Sequence, residues 1–332
     1  GEQLVGVELV LLVVLDVADV VELEDDGPVL VGGREQAKLV DWHKPFDRVL
    51  DYSRPPFAKW FVGGLTNLCY NAVDRHLAAR GDQEALVYVS TETGEERTYT
   101  FRDLHTEVNR VAALLKSLGV GRGDRVLIYM PTIPEAIFAM LATVRIGAIH
   151  SVVFGGFASA SLASRMDDAR PKVMITADAG MRMGKVIRYK PLVDEAIRLS
   201  KSPPQKVVIV DRGIDKSMSR SPRRDLDYAE LRAQHLNAQV PVVWLESNEP
   251  SYILYTSGTT GRAKGIQRDT GGHAVGLAAS MKYVYDARPG ETYWATSDIG
   301  WVVGHSYIVY GPLIYGMASV VYEGVPIRPD PG

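Results

Sequence analysis

From Thr98 onward, apolar positions switch repeatedly between a helical period and short continuous runs, a pattern that predicts helices alternating with buried strands. Thr100 and Asp103 have the form of a capping box. Leu104, Val108, Val111, Leu115 and Leu118 then share one helical face until Gly119. Arg125 to Met130 (RVLIYM) predicts a strand. Pro134 sits where a first helical turn tolerates it, ahead of EAIFAMLATVRIGA, and IHSVVF from Ile149 predicts the next strand. SLASRMDDA, KVMITAD, PLVDEAIRLS and KVVIVD continue the alternation. This βαβ rhythm predicts an α/β fold of parallel strands flanked by helices. Arg212 to Arg224 breaks the rhythm and, being polar and basic, reads as a solvated surface loop. The rhythm resumes with SYILY, an amphipathic stretch from about Gly272 to Tyr283, a strand TYWATS, a helix after Gly304 and a strand in ASVVYEG.

Residues 1–34 differ in character, with Val and Leu packed around scattered acids, and read as a strand-prone leader of unknown role. Leu9 to Leu15 is far shorter than the roughly 20 apolar residues a membrane span needs, and Glu8, Asp16 and Asp19 interrupt any longer window. No basic residue precedes Arg34, so the leader lacks the form of a signal peptide. At 332 residues and 46% apolar content the chain can bury a large core, and its formal charge of -3 recommends neither nucleic acid nor an anionic membrane as partner. The single cysteine, Cys69, has no internal partner and no metal-type spacing around it, which fits a reducing, cytoplasmic setting.

The chemistry concentrates in Tyr255 to Gly265, YTSGTTGRAKG. Thr256, Ser257, Gly258, Thr259, Thr260 and Gly261 offer closely spaced hydroxyls and amides, and Lys264 adds a mobile point charge. An apolar strand feeds the loop directly, as a ligand site at the carboxyl end of a parallel strand requires. The Walker A pattern does not fit, because Gly265 follows Lys264 instead of preceding it.

This loop resembles the signature of the adenylate-forming superfamily, which includes acyl-CoA synthetases, luciferases and peptide-synthetase adenylation domains. Arg262 and Ala263 depart from it where members often carry Lys or Leu and then Pro; losing that Pro loosens the loop without removing a donor. Trp60 to His76, SVVFGGFA, TADAGMRMGK and SDIGWVVGHSYIVYGPL are similar to segments of acetyl- and propionyl-CoA synthetases. The resemblance covers residues 35–332, which it implies are an incomplete N-terminal adenylation domain.

It implies a triphosphate held by Thr256, Ser257, Gly258, Thr259, Thr260, Gly261 and Lys264, with Thr256 and Lys264 catalytic and Mg²⁺ accompanying ATP on ligands that the sequence does not identify. It implies contacts to CoA from Gly155, Gly156, Arg182, Met183, Gly184 and Lys185, although Lys185 stands where acetyl enzymes tend to have Arg. It assigns the acyl-pocket wall to Trp301, Val302 and Val303. Val303 replaces the Thr usual in acetyl enzymes, which leans toward propionate as a preference, since one methylene discriminates by only about 1–3 kcal/mol. His305 reads as a positioning residue, because the carboxylate substrate needs no base. The implied reaction is ATP-dependent formation of acyl-AMP and then of an acyl-CoA thioester. Acetate ligation and nucleotide binding without turnover are the alternatives. By the same resemblance the adenine-binding segments and a small C-terminal domain with a further catalytic lysine would lie beyond Gly332, so weak or absent turnover is expected of this chain alone.

Overall fold

The computed structural model describes residues 28–256 and 264–326. Most of the leader and residues 257–263 of the loop expected to hold a triphosphate lie outside the described residues. Five apolar runs and two polar edge segments assemble into a seven-stranded sheet. Its strands are β1 Arg125–Tyr129, β2 Ile149–Val152, β3 Val173–Ala177, β4 Lys206–Val210, β5 Asp225–Asp227, β6 Pro250–Thr256 and β7 Lys264–Asp269. Across the sheet they run β5-β4-β3-β1-β2-β6-β7. Every neighbouring pair is parallel except β6 and β7. β2 and β3 are buried along their whole length, which is why they read as continuous apolar runs without alternation.

The intervening helices are α1 Phe101–Ser117, α2 Pro134–Arg145, α3 Ser159–Ala169 and α4 Tyr189–Leu199. α1 packs on α2 and α3 on α4, flanking the sheet. The expected capping box opens α1: Asp103 N donates to Thr100 Oγ1 at 3.1 Å, and Thr100 N donates back to Asp103 Oδ2 at 3.0 Å. Two backbone donors at the helix start are thereby satisfied. A second, four-stranded sheet orders Thr292–Tyr293, Ala318–Glu323, Glu84–Ser90 and Glu95–Thr100, the last of which runs straight into α1.

Four expectations change. Pro28–Ala37 is a helix, where the leader reads as strand-prone to residue 34. Gly33 lies so near Val49 that a Cβ would come within 2.5 Å of its Cγ1, and this docking overrides the local β preference of Val and Leu. The stretch after Thr270 forms a helix, α5 Gly271–Tyr283, but it is enclosed instead of amphipathic, with residues from Gly271 to Met281 buried except Gly276. Its polar members find internal partners: Ser280 Oγ donates to Leu277 O at 2.8 Å, and His273 bonds Tyr252. TYWATS is strand only at Thr292–Tyr293, after which Trp294 leaves the sheet to meet Tyr322 edge to face.

The basic loop is the fourth change. Buried Asp178 accepts backbone N–H groups from Arg212, Ile214 and Asp215, Arg220 bridges Asp211 and Asp227, and Arg224 meets Asp194 and Asp225. Arg212, Arg220 and Arg224 thus serve neighbouring carboxylates, while Lys216 and Arg223 are exposed as a solvated loop requires.

Candidate active site

The segments that follow β1, β2 and β3 converge with the Trp294–Trp301 turn around a cavity of about 440 Å³. Ligand sites in α/β sheets form at such carboxyl ends. Gly155, Gly156, Arg182, Asp298, Trp301 and Glu323 are among its lining residues. One cavity thus joins the glycines and the arginine expected at CoA with the tryptophan expected at the acyl group. Met183, Gly184, Lys185, Val302 and Val303 lie off its lining. Val303 is 45% exposed and Val302 packs against the core.

The turn after β2 is fixed from below. Tyr129, at the end of β1, donates its hydroxyl to Phe157 O at 2.7 Å, and burial pushes that hydroxyl's pKa up to about 12, so it stays a donor. Gly155 is required by packing: a Cβ there would stand 2.4 Å from the Tyr189 hydroxyl. A side chain there would face Tyr189, while Gly155 itself still lines the cavity. Phe154, Phe157 and Trp301 form an aromatic corner with centroids 5.4–5.8 Å apart, Phe157 meeting the other two rings edge to face. A Cβ on Gly300 would come 2.6 Å from Phe154 Cα, so the Trp301 turn and the Phe154 turn are locked backbone to backbone.

Asp298 braces that turn, accepting from Gly300 N at 2.7 Å and Thr132 Oγ1 at 3.2 Å. Burial raises its pKa, while those two donors and the Arg182 charge pull it back. Glu323 closes the far wall with both oxygens engaged, by Arg212, Tyr88 and Ser90.

Arg182 and Lys185 belong to a β-hairpin, Ala179–Arg182 paired antiparallel with Lys185–Arg188. Its two turn residues, Met183 and Gly184, have φ of 55° and 73°, the sign pattern of a type I′ turn. Gly184 accepts this freely. For Met183 the left-handed conformation costs roughly 1–2 kcal/mol. The turn is held from outside, with Met183 N and Gly184 N donating to the two carboxylate oxygens of Glu92 at 2.6 and 2.9 Å. The Arg182 guanidinium rides over the Phe154 ring, 5.2 Å from its centroid.

Thr256 and Lys264 are register partners at the end of the β6–β7 pair, both exposed. Tyr255, one residue before Thr256, donates its hydroxyl to Asp168 Oδ2 at 2.6 Å. Arg165 lies over the rings of both Phe157 and Tyr255, at 4.6 and 5.4 Å. A continuous packed path therefore runs from the loop stem to the aromatic corner of the cavity.

His305 is fully buried behind Trp301, its Nδ1 3.1 Å from Trp301 O. Burial draws its pKa down to about 4 against the pull of the Trp301 and Ile299 backbone, leaving a neutral ring. It stacks with His150 and packs at a tilt against Tyr252. Among the described residues no three His, Cys, Asp or Glu side chains gather as a cage for a metal ion. No described helix is long and apolar enough to cross a membrane.

Phe154, Tyr189, Asp298, Glu323 and Glu92 escape a reading of residue spacing. Only Asp298 carries a local signal, the Asp-x-Gly turn before Trp301.

Comparison with known proteins adds an independent line. Residues 73–332 match the family model described as AMP-binding enzyme, and residues 34–72 match that of the acetyl-coenzyme A synthetase N-terminus. The propionate–CoA ligase of Escherichia coli (strain K12) is 60% identical over 298 residues, covering 90% of this chain and 47% of that protein. The mitochondrial acyl-CoA synthetase short-chain family member 3 of Homo sapiens is 47% identical over 299 residues, 89% of this chain and 43% of its own length. An acetyl-coenzyme A synthetase of Wolinella succinogenes is 46% identical over 302 residues, covering 90% and 46%. The chain spans about half the length of the curated relatives it matches. With a family model matched over residues 73–332, the chain belongs to the AMP-binding enzyme family.

Proposed function

We propose that this protein activates a short-chain carboxylic acid, propionate in preference, with ATP and passes the acyl group to CoA. A carboxylate oxygen attacks the α-phosphorus, pyrophosphate leaves, and the CoA thiol sulfur then attacks the acyl carbon of the adenylate as AMP departs. Thr256, Ser257, Gly258, Thr259, Thr260, Gly261 and Lys264 grip the β- and γ-phosphates of MgATP, with Lys264 stabilising charge on the departing pyrophosphate. Arg182 and Lys185 meet the CoA phosphates, while Met183 and Gly184 shape the hairpin that carries them and Gly155 and Gly156 form the adjacent wall. Trp301, Val302 and Val303 limit the acyl chain. Residues 35–332 serve as the activating domain, residues 1–34 stand outside it, and the reaction is cytoplasmic.

The observation that carries this reading is the shared cavity, in which Gly155, Gly156 and Arg182 line the same space as Trp301. A thiol arriving along the first three and an acyl group against the fourth would meet without rearrangement of the strands beneath them. AMP release by the full encoded protein, measured with two- to four-carbon acids in the presence of ATP and CoA, tests it. Propionate should give the highest kcat/KM. Absence of acid-dependent AMP release with every acid would overturn the assignment.

Acetate is the second reading, favoured by the 46% identity to a protein named acetyl-coenzyme A synthetase. The same assay separates the two, since acetate would then exceed propionate in kcat/KM.

A further inference from the structure

We infer that Glu92 is a positioning residue for CoA, acting through the Met183–Gly184 turn; the inference rests on the ligase reading above and deepens it. Glu92 stands in the turn between Glu84–Ser90 and Glu95–Thr100, far in sequence from the hairpin it holds. Both of its carboxylate oxygens are committed to consecutive backbone amides, Met183 N at 2.6 Å and Gly184 N at 2.9 Å. Consecutive N–H groups in such a turn form a small anion-binding concavity, and the carboxylate occupies it.

The hairpin needs that grip. Each of its strands has four residues, it forms a two-stranded sheet of its own, and Met183 sits at a backbone angle that side-chain-bearing residues resist. A two-stranded ribbon of this size is marginal without an outside anchor. Arg182 and Lys185 flank the turn as register partners, so the direction of both cations follows the turn. At the base, Arg182 is seated on Phe154. At the tip, Glu92 is the hold that the four-stranded sheet supplies. The carboxylate thus fixes where the cations meet a nucleotide phosphate without touching the nucleotide itself, and it fills the amide pair so that phosphate must be met by Arg182 and Lys185.

The test compares wild type, E92A and E92Q in the full encoded protein, reading two half-reactions. Charge-assisted hydrogen bonds are the stronger kind, so E92A should raise KM for CoA roughly ten-fold. Acid-dependent ATP–pyrophosphate exchange without CoA should stay within about two-fold, because Thr256 and Lys264 stand at the edge of the seven-stranded sheet, away from the Glu92 contact. E92Q, which keeps one acceptor oxygen, should fall between, and amide exchange at Met183 and Gly184 should quicken in E92A. An active wild type with E92A unchanged in CoA KM overturns the inference and leaves the ligase reading standing. Equal losses in both half-reactions overturn it as well, showing a general structural role. A wild type that exchanges pyrophosphate but makes no thioester removes both the CoA reading and this one.

Discussion

Arg212 and Glu323 meet edge to edge, Nη1 on Oε1 and Nη2 on Oε2 at 2.7 Å each, and in doing so tie the loop after β4 to the last strand of the second sheet. Glu323 is 3% exposed and takes two more hydrogen bonds, from Tyr88 at 2.6 Å and Ser90 at 2.9 Å. A buried carboxylate with four donors is stable only while its cation remains. Removing Arg212 leaves a desolvated charge, so R212A should destabilise the protein by about 3–5 kcal/mol. The double variant R212M/E323L should recover much of that loss, because no unpaired charge is left. Urea unfolding of the three proteins checks it; a loss below about 1 kcal/mol in R212A would show that water already reaches the pair.

Stability should fall as pH drops from about 6.5 toward 4. Burial is the leading cause in each of four histidines: His305 and His76 are drawn to about 4, His273 to about 3, and His150 well below its ordinary value. These folded-state values lie below the unfolded value near 6.5, so the unfolded chain binds more protons in that window, and stability present above it is lost as pH falls. His305 alone would contribute on the order of 3 kcal/mol. Asp269, raised by burial to about 6, acts in the opposite sense, as do Asp298 and Glu135, which burial also raises, so these carboxyls offset part of the histidines' effect. Thermal melts from pH 7.5 to 4.5 should show a descending Tm, with a shallower descent in H305Q; a flat profile would contradict the burial argument.

Much of this architecture is legible in the residues because local and global preferences agree. Thr100 with Asp103 starts a helix, Pro134 starts another, and fully buried parallel strands spell themselves as apolar runs. What escapes depends on contacts far apart in sequence. β7 (KGIQRD) is an exposed edge whose only apolar residue is Ile266, so it carries no strand period and is revealed by pairing with β6. The Met183–Gly184 turn lacks the usual Asn or Asp, and Glu92 compensates from 91 residues away. Arg212 to Arg224 reads as solvated because its carboxylate partners lie outside the segment or are scattered at its edges. In the candidate site, Gly155, Gly156, Arg182 and Trp301, which line the cavity, are visible in the sequence, whereas Tyr189, which makes Gly155 necessary, is not.

Lys264 stands opposite Thr256 in the β6–β7 register, with its side chain exposed. If the loop grips the triphosphate, K264A should lower acid-dependent ATP–pyrophosphate exchange by roughly 10- to 100-fold, the range expected for a hydrogen bond to a charged group. K264R should retain part of the rate, because the charge survives in a different shape. Stability in urea should be unchanged within about 0.5 kcal/mol, as for other exposed positions. Exchange at the wild-type rate in K264A would remove this lysine from the site.

Gly155 offers the sharpest test of packing against ligand access. A methyl at this position would meet the Tyr189 hydroxyl at 2.4 Å and the adjacent ring carbons at 3.1 Å, and Tyr189 is buried against Tyr129 in an edge-to-face pair. Tyr189 therefore has little room to retreat, and G155A should destabilise the protein by about 1–3 kcal/mol through overpacking. Removing the hydroxyl relieves the closer of the two contacts, so Y189F in the G155A background should restore about half of the lost stability. CoA binding separates the causes. If the glycine is needed only to house Tyr189, the double variant should recover KM for CoA together with stability. If a ligand approaches the same Cα, stability should return while KM stays raised. A G155A protein as stable as wild type would show instead that the Phe154–Phe157 turn can shift, contradicting the backbone lock between Gly300 and Phe154.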